Sequence, residues 1–301
     1  INIDHKVRIL APYFSVIGNQ SQRKRALELA SFLIVAHPAE AKAFAIYADL
    51  LYQDKQLDSA KKVYLQTIAL DKSVFAVWQN LLLLQAETQD YNGLLKTSNQ
   101  AIELFPNQNF VFYLNAAAKY QAKDYAAAAL AYKQALTITF DNTEMQAQIY
   151  SGLGDVYNEL KQYAQSDSFY NASLVLKPDE VFVLNNYAYY LALRKEQLPK
   201  AAQMAKKANE LQPNNASFED TYAWVLFKMG NYEQALIWIE LALSHSETQT
   251  ATLMEHYGDI LYFLTKKDSA VQAIEKWKAA KTLGAGSEQL SEKIKEGKWI
   301  E

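Results

Sequence analysis

The stretch that decides the fold runs from Tyr150 to Pro178 and reads YSGLGDVYNELKQYAQSDSFYNASLVLKP. Its apolar and small residues return every three or four positions, first from Tyr150 to Tyr157 and again from Tyr163 to Ser173. This spacing is typical of one face of an α-helix. A proline such as Pro178 ends one helix before the next begins. The stretch therefore predicts two short helices joined by a tight turn.

The same pattern recurs along the chain with a period close to 34 residues. Mostly small residues occupy the equivalent position of each first helix: Ala48, Leu82, Ala116, Gly154, Ala188, Ala223 and Gly258. A second series marks the following helices: Thr67, Ala101, Ala135, Ser173, Ala208, Ala242 and Ala280. A small side chain lets two helix axes approach closely, so both series are interpreted as packing positions. A repeat of this length is typical of a solenoid whose units bury their apolar faces against neighbours.

The composition excludes several classes of protein. Half of the 301 residues are hydrophobic, which is too many for a disordered polymer, and 6 Pro and 9 Gly are few for an all-β chain. A net charge of −3 argues against a general affinity for nucleic acid, so no nucleic-acid partner is expected. Without cysteine there is no disulfide framework or thiolate site. No apolar run approaches the ~20 residues of a membrane-spanning helix.

Taken together, these units resemble tetratricopeptide repeats. One unit reads Tyr150, Leu153-Gly154, Tyr157, Tyr163, Ser166, Tyr170, Ser173, Pro178, and another reads Tyr222-Ala223, Leu226, Gly230, Asn231-Tyr232, Ala235, Ala242. The resemblance implies an all-α, right-handed superhelix of about seven to eight helix hairpins with a C-terminal capping helix. Residues 41–283 are assigned to the solenoid, residues 1–40 to a degenerate N-terminal hairpin and residues 284–301 to the cap. In the cap, Ser287 is the predicted N-cap and Gly297 the predicted end.

The register slips at three places. Ala135 and Ser173 are 38 residues apart, which predicts extra residues near 141–146 that lengthen the following helix or the loop before it. One residue is added in the turn around Glu196–Pro199. Between Ala242 and Ala280 we place one extra residue before the first helix and three around 266–269. Insertions in solenoids fall in loops, where they either serve binding or drift without function.

Phrases at 185–192, 220–226 and 255–261 are similar to those of bacterial envelope tetratricopeptide proteins. That similarity implies export, with a periplasmic or outer-membrane-associated location, and cytoplasmic relatives provide the alternative. The chain starts at Ile1, which leaves a signal peptide or lipid anchor upstream of Ile1 as an open option. The oligomeric state and the biological pathway are left open by the sequence.

We find no catalytic, cofactor-binding or metal-binding pattern, and the chain is not predicted to be an enzyme. The four histidines lie in separate units, without a second histidine at ligand spacing. Glu255 and Asp259 stand one helical turn apart and could in principle hold a cation or share a proton. The simpler interpretation of such a pair is a solvated helix face.

The preferred prediction is a non-catalytic scaffold that binds a protein or peptide segment in its concave groove. Projection of the packing stripe places these candidates on the groove wall: Tyr113, Tyr120, Asp155, Asn158, Asn185, Tyr189, Asp220, Trp224, Phe227, Glu255, Asp259 and Tyr262. Amides and carboxylates can bind an extended backbone while rings take side chains. The acidic lining favours a neutral, aromatic or basic ligand. The competing interpretation is that many of these rings pack against neighbouring repeats.

Two further functions stay open at this point. The chain could be an assembly component that self-associates through its outer surface or ends, with Leu290 and Trp299 of the terminal helix as the motivating residues. Alternatively, the aromatic groove could bind a glycan or small molecule, because Tyr and Trp faces also stack on sugars.

Overall fold

The computed structural model describes residues 3–10, 20–264, 269–284 and 287–300, and within them the chain is helical and has no β-strand. The residues divide into two compact units, 1–162 and 163–301. The first unit holds α1 (Ile3–Leu10), α2 (Gln20–Ala36), α3 (Ala41–Gln53), α4 (Leu57–Leu70), α5 (Phe75–Glu87), α6 (Tyr91–Leu104), α7 (Asn109–Gln121), α8 (Tyr125–Thr137) and α9 (Thr143–Glu159). The second holds α10 (Tyr163–Leu176), α11 (Val181–Arg194), α12 (Leu198–Leu211), α13 (Ala216–Lys228), α14 (Tyr232–His245), α15 (Ala251–Phe263), α16 (Ser269–Thr282) and α17 (Leu290–Glu296).

Six of the described helices, α3, α5, α7, α9, α11 and α13, end in the same backbone turn. After α3, Lys55 adopts a left-handed conformation with φ of 61°, and the N–H of Gln56 donates to the carbonyl of Leu51 at 2.9 Å. This hydrogen bond defines a Schellman motif, which satisfies the last carbonyls of a helix. Equivalent bonds follow α5, α7, α9, α11 and α13, from Asp90 to Gln85, Asp124 to Lys119, Gln162 to Tyr157, Glu196 to Leu191 and Asn231 to Leu226.

The series of small residues lies in the packed interior, as predicted. Ala48, Ala116, Ala188 and Ala223 have no exposed surface. At Gly258 the space is tighter still, because a methyl group there would lie 2.5 Å from Cδ1 of Trp277. These positions therefore set the distance between paired helices.

Two of the three predicted register slips are confirmed. The extra residues before the fourth first helix lengthen α9 to 17 residues, whereas α3, α5 and α7 have 13. The added residue near Glu196 is Gln197, which follows the Schellman turn with φ of 45° and precedes α12. The loop 246–250 before α15 has one residue more than the loop 212–215 before α13, as expected. The additions placed around 266–269 fall largely outside the described residues.

The C-terminal helix α17 ends at Gly297, whose φ of 63° provides the predicted left-handed stop. Leu290 is buried with Met254, Leu261 and Trp277 in a cluster with α15 and α16. The prediction that Ser287 caps this helix is wrong, because Gln289 occupies the N-cap position. Ser287 instead directs both its N–H and its hydroxyl to Glu255. The division into residues 1–40, 41–283 and 284–301 stays a prediction.

Candidate functional site

In the first unit, the predicted residues gather on α7 and α9 but are largely packed. The ring of Tyr113 lies 5.7 Å from that of Tyr132, and Tyr120 lies 5.4 Å from Tyr125. Burial raises the pKa of Tyr113, and the charge of Asp155 adds to the shift, so these two groups are close. Asn158 is half-buried on the same helix as Asp155. Here the rings mainly fill space between helices, as the competing interpretation expected.

In the second unit, α11, α13 and α15 border a cavity of about 720 Å³, which we call the polar groove. Three predicted residues line it: Asn185, Tyr189 and Asp220. The loops before α13 and α15 complete the wall, and the whole lining consists of Asn185, Asn186, Tyr189, Asn214, Asn215, Ala216, Ser217, Asp220, Thr221, His245, Ser246, Glu247, Thr248, Thr250, Thr252 and Leu253. The groove therefore offers amides, hydroxyls and carboxylates, the groups that hydrogen-bond to an extended peptide backbone.

Asn185 lines this groove and has a buried side-chain oxygen that accepts no hydrogen bond from the described residues. The residue is 7% exposed, and its Nδ2 donates to Oδ1 of Asn186 at 3.3 Å. Its own Oδ1 is buried and has no hydrogen-bond partner among the described residues. A buried polar atom without a partner costs about 1–3 kcal/mol. The acceptor therefore favours the arrival of a donor, such as a peptide N–H.

A histidine that the sequence left isolated joins the predicted residues Asp220 and Trp224. The Nδ1 atom of His256 lies 2.8 Å from Oδ1 of Asp220, and its ring stacks on Trp224 with centroids 3.9 Å apart. Trp224 is 6% exposed and also stacks on Phe227, so its faces are not free for a ligand. The repeat spacing indicates that Asp220 and His256 lie close together, because they occupy nearly equivalent positions of adjacent first helices.

Glu255 and Asp259 neither face solvent nor stand alone. The ammonium of Lys293 on α17 donates to Oε1 of Glu255 at 2.8 Å and to both oxygens of Asp259, at 2.9 and 2.7 Å. Asp259 also accepts from Nε1 of Trp277 at 2.8 Å. The interpretation of this pair as a solvated face is wrong, and the expected acidic surface is compensated there by a lysine.

The pKa values of these two carboxyl groups shift in opposite directions. Burial dominates at Asp259 and raises its pKa despite the neighbouring Lys293 ammonium. At Glu255 burial also acts to raise the pKa, but hydrogen bonds from Lys293 and Ser287 outweigh it and lower the value. The terminal segment lowers the pKa of Glu255 through Lys293 and Ser287, and at Asp259 its Lys293 ammonium opposes the rise that burial causes.

The remaining predicted residues are aromatic and mostly buried. Phe227 is 4% exposed, with Phe263 at 5.4 Å and Trp299 at 6.2 Å between ring centroids. Tyr262 packs on Trp277 of α16 at 5.8 Å, away from the polar groove. Leu290 and Trp299, which motivated self-association, are packed within the unit.

A second cavity of about 530 Å³ adjoins the polar groove and shares Tyr189 and Thr252 with it; we call it the acidic pocket. One wall comes from α11, α13 and α15, through Tyr189, Leu193, Trp224, Lys228, Thr252, Glu255, His256 and Asp259. The opposite wall is the C-terminal segment, through Ser287, Gln289, Lys293, Trp299 and Ile300. Sequence projection from the first helices alone missed this wall. The sequence feature that indicates this wall is Lys293, which lies three positions after Leu290 and next to the apolar face of the terminal helix.

Stacked antiparallel helix pairs with a groove along the first helices define a helical-repeat protein of the solenoid class. Residues 147–180 match the tetratricopeptide repeat family. A tetratricopeptide repeat protein from Parabacteroides merdae has the same fold, with a TM-score of 0.66 and 17% identity over 85% of this chain and 98% of its own. The resemblance to tetratricopeptide repeat proteins is therefore confirmed. Solenoids of this kind present extended surfaces for protein partners.

Two relatives of known sequence match part of the chain. The uncharacterized protein ycf37 of Pyropia yezoensis is 29% identical over 150 residues, which are 49% of this chain and 82% of the relative. The human protein O-mannosyl-transferase TMTC3 is 24% identical over 172 residues, or 57% of this chain. The chain spans 19% of the length of that human protein.

The described residues contain neither a membrane-spanning helix nor a cluster of metal ligands. In residues 3–10, 20–264, 269–284 and 287–300, no helix is both long and apolar enough to cross a membrane. Over the same ranges, His, Asp and Glu side chains form no group of three or more that could hold a metal ion.

Proposed function

We propose that the chain is a non-catalytic interaction scaffold whose polar groove binds an extended segment of a partner protein. The unpartnered Oδ1 of Asn185 carries the proposal, because a peptide N–H is the donor that would complete its hydrogen bonding. Asn186 and Thr252 flank it with further donors and acceptors. Similarity to tetratricopeptide repeat proteins supports the scaffold role, since this fold serves protein recognition.

A ligand of neutral or basic character fits the groove best. Asp220 and Glu247 contribute carboxylates to the lining, and the described lining holds no lysine or arginine. Electrostatic complementarity then disfavours an acidic segment. A glycan is the weaker alternative, because Trp224 is buried against other rings. Export to the bacterial envelope stays a proposal that rests on sequence phrases alone.

The test selects peptides that bind the full chain from a displayed random library and compares their affinity for two matched variants. Asn186→Ala removes a groove amide, and Asn171→Ala removes an exposed amide of α10 that accepts from Lys200. We expect Asn186→Ala to weaken binding about fivefold, the equivalent of one hydrogen bond of ~1 kcal/mol. Asn171→Ala should bind as the wild type does. Equal affinities for both variants would refute the groove assignment.

A further inference from the structure

The C-terminal segment, residues 287–300, meets the second unit through contacts of the kind that a bound peptide makes. The N–H of Ser287 donates to Oε2 of Glu255 at 2.7 Å, which is a backbone-to-carboxylate bond. The ring of Trp299 lies 5.2 Å from Phe263 and 6.2 Å from Phe227. Backbone, aromatic and charged groups of the segment thus all have partners on α13 and α15.

Lys293 is the centre of this contact. It is 3% exposed, and its ammonium makes three hydrogen bonds to Glu255 and Asp259. Both carboxylates converge on the one ammonium of Lys293, while the other lysine of the pocket, Lys228, lies over the Trp224 ring at 4.4 Å. The pocket therefore favours a lysine side chain, which carries a compact ammonium group at the end of a flexible aliphatic chain.

A simple cap would not need this ion cluster. Leu290 already covers the apolar cluster of Met254, Leu261 and Trp277. Burying an ion pair contributes little net stability, because desolvation offsets most of the Coulomb attraction. Exchange of Lys293 for an equivalent lysine of another chain changes the free energy little, because the new ammonium makes the same hydrogen bonds to Glu255 and Asp259. Besides these contacts, the covalent attachment of the segment gives it an effective concentration on the order of millimolar.

We propose that the C-terminal segment is an intramolecular ligand of the acidic pocket, and that a lysine-bearing segment of a partner protein displaces it. The inference rests on the proposed function, since the partner enters from the adjoining polar groove, with which the acidic pocket shares Tyr189 and Thr252. On displacement, the partner lysine takes the place of Lys293 between Glu255 and Asp259. The resting protein therefore binds its partner more weakly than an open one.

The probe is a fluorescent synthetic peptide with the sequence of residues 287–300, SEQLSEKIKEGKWI, titrated against the full-length chain in polarisation measurements. Lys293→Gln weakens the internal ligand and should tighten probe binding at least about tenfold over wild type, as the tethered competitor is lost. Lys295→Gln is the matched control, because that lysine lies on the same helix with a side chain 81% exposed. It should bind the probe as weakly as wild type does. A probe with glutamine in place of its Lys293 should not bind.

Ser287→Ala provides a milder opening, since it removes only the hydroxyl contact with Glu255. The proposal is overturned if neither Lys293→Gln nor Ser287→Ala binds the probe more tightly than wild type, including the case in which Lys293→Gln does not fold. It is also overturned if the glutamine probe binds equally well. If either of these results is obtained while Asn186→Ala still weakens the binding of selected peptides, the proposed groove function stands and only the intramolecular ligand is refuted.

Discussion

Gly258→Ala tests whether the small residues hold the helix pairs at their observed separation. The added methyl group would lie 2.5 Å from Cδ1 and 2.6 Å from Nε1 of Trp277, and 3.0 Å from the carbonyl oxygen of Ala273. Carbon atoms pack at about 3.5–4.0 Å, so the indole must move by roughly 1 Å. Trp277 has no exposed surface into which it could move, and a shift lengthens its hydrogen bond to Asp259.

The expected cost follows from three opposing contributions. Overpacking costs about 1–3 kcal/mol, and the strained hydrogen bond to a carboxylate adds about 1 kcal/mol. Alanine recovers about 1 kcal/mol through its better helix propensity. We therefore expect the free energy of unfolding to fall by about 2 kcal/mol, measured as a lower urea midpoint by circular dichroism and tryptophan emission.

The tryptophan itself provides the control. In a Trp277→Leu background the indole atoms are absent, and Gly258→Ala should then be neutral or stabilising by up to about 1 kcal/mol. A midpoint for Gly258→Ala equal to or above that of wild type would refute the reasoning. So would an identical loss in the Trp277→Leu background.

Two predictions concern tyrosines, the buried Tyr64 and the half-buried Tyr189. Tyr64→Phe removes the hydroxyl that donates to Oδ1 of Asp49 at 2.6 Å. Burial raises the pKa of Asp49 above 3.8, which means that the ionised carboxylate is disfavoured in the folded protein. Loss of the Tyr64 hydroxyl removes a hydrogen-bond donor from this carboxylate and should lower the free energy of unfolding by about 1–3 kcal/mol near neutral pH. In the folded variant the Asp49 carboxylate takes up a proton more readily than in wild type, so the loss of stability should shrink as the pH falls through the raised pKa of Asp49. Urea midpoints measured at about pH 7 and pH 4.5 check this. An unchanged deficit contradicts it. Burial, with added charge from neighbouring carboxylates, raises the pKa of Tyr189 to about 12. Its protonated form therefore contributes stability below the unfolded pKa of about 10, which is lost as pH rises toward 12. Tyr189→Phe should show a flatter fall of the urea midpoint between about pH 9 and pH 11, and parallel curves for variant and wild type would rule this out.

The helical repeat was predictable because its signals are local. The period of the apolar residues predicted the helices, and the repeat spacing of Gly154, Ala188 and Ala223 predicted where paired helices pack together. The added residue at Gln197 was located from spacing alone, since each extra residue shifts every later position in the register.

The site was predictable only in part. Asn185, Tyr189 and Asp220 line the same groove, because they share one face of successive first helices, and their role in binding stays a prediction. Glu255 and Asp259 were misjudged, since their partner Lys293 lies more than 30 residues away on a helix outside the repeat. Periodicity cannot show which surface a terminal helix covers, because that depends on long-range contacts between side chains.

The turns that close the helix pairs keep one backbone geometry while their side chains differ. The central turn position holds Lys55, Gln89, Lys123, Lys161 or Gly230, yet each adopts a positive φ. The closing hydrogen bonds join backbone atoms alone, so Lys and Gln serve at this position as well as Gly, although the positive φ favours Gly. Sequence can therefore diverge at the turns from one repeat to the next without loss of register. The family signature matches residues 147–180, while the same turn geometry extends well beyond them.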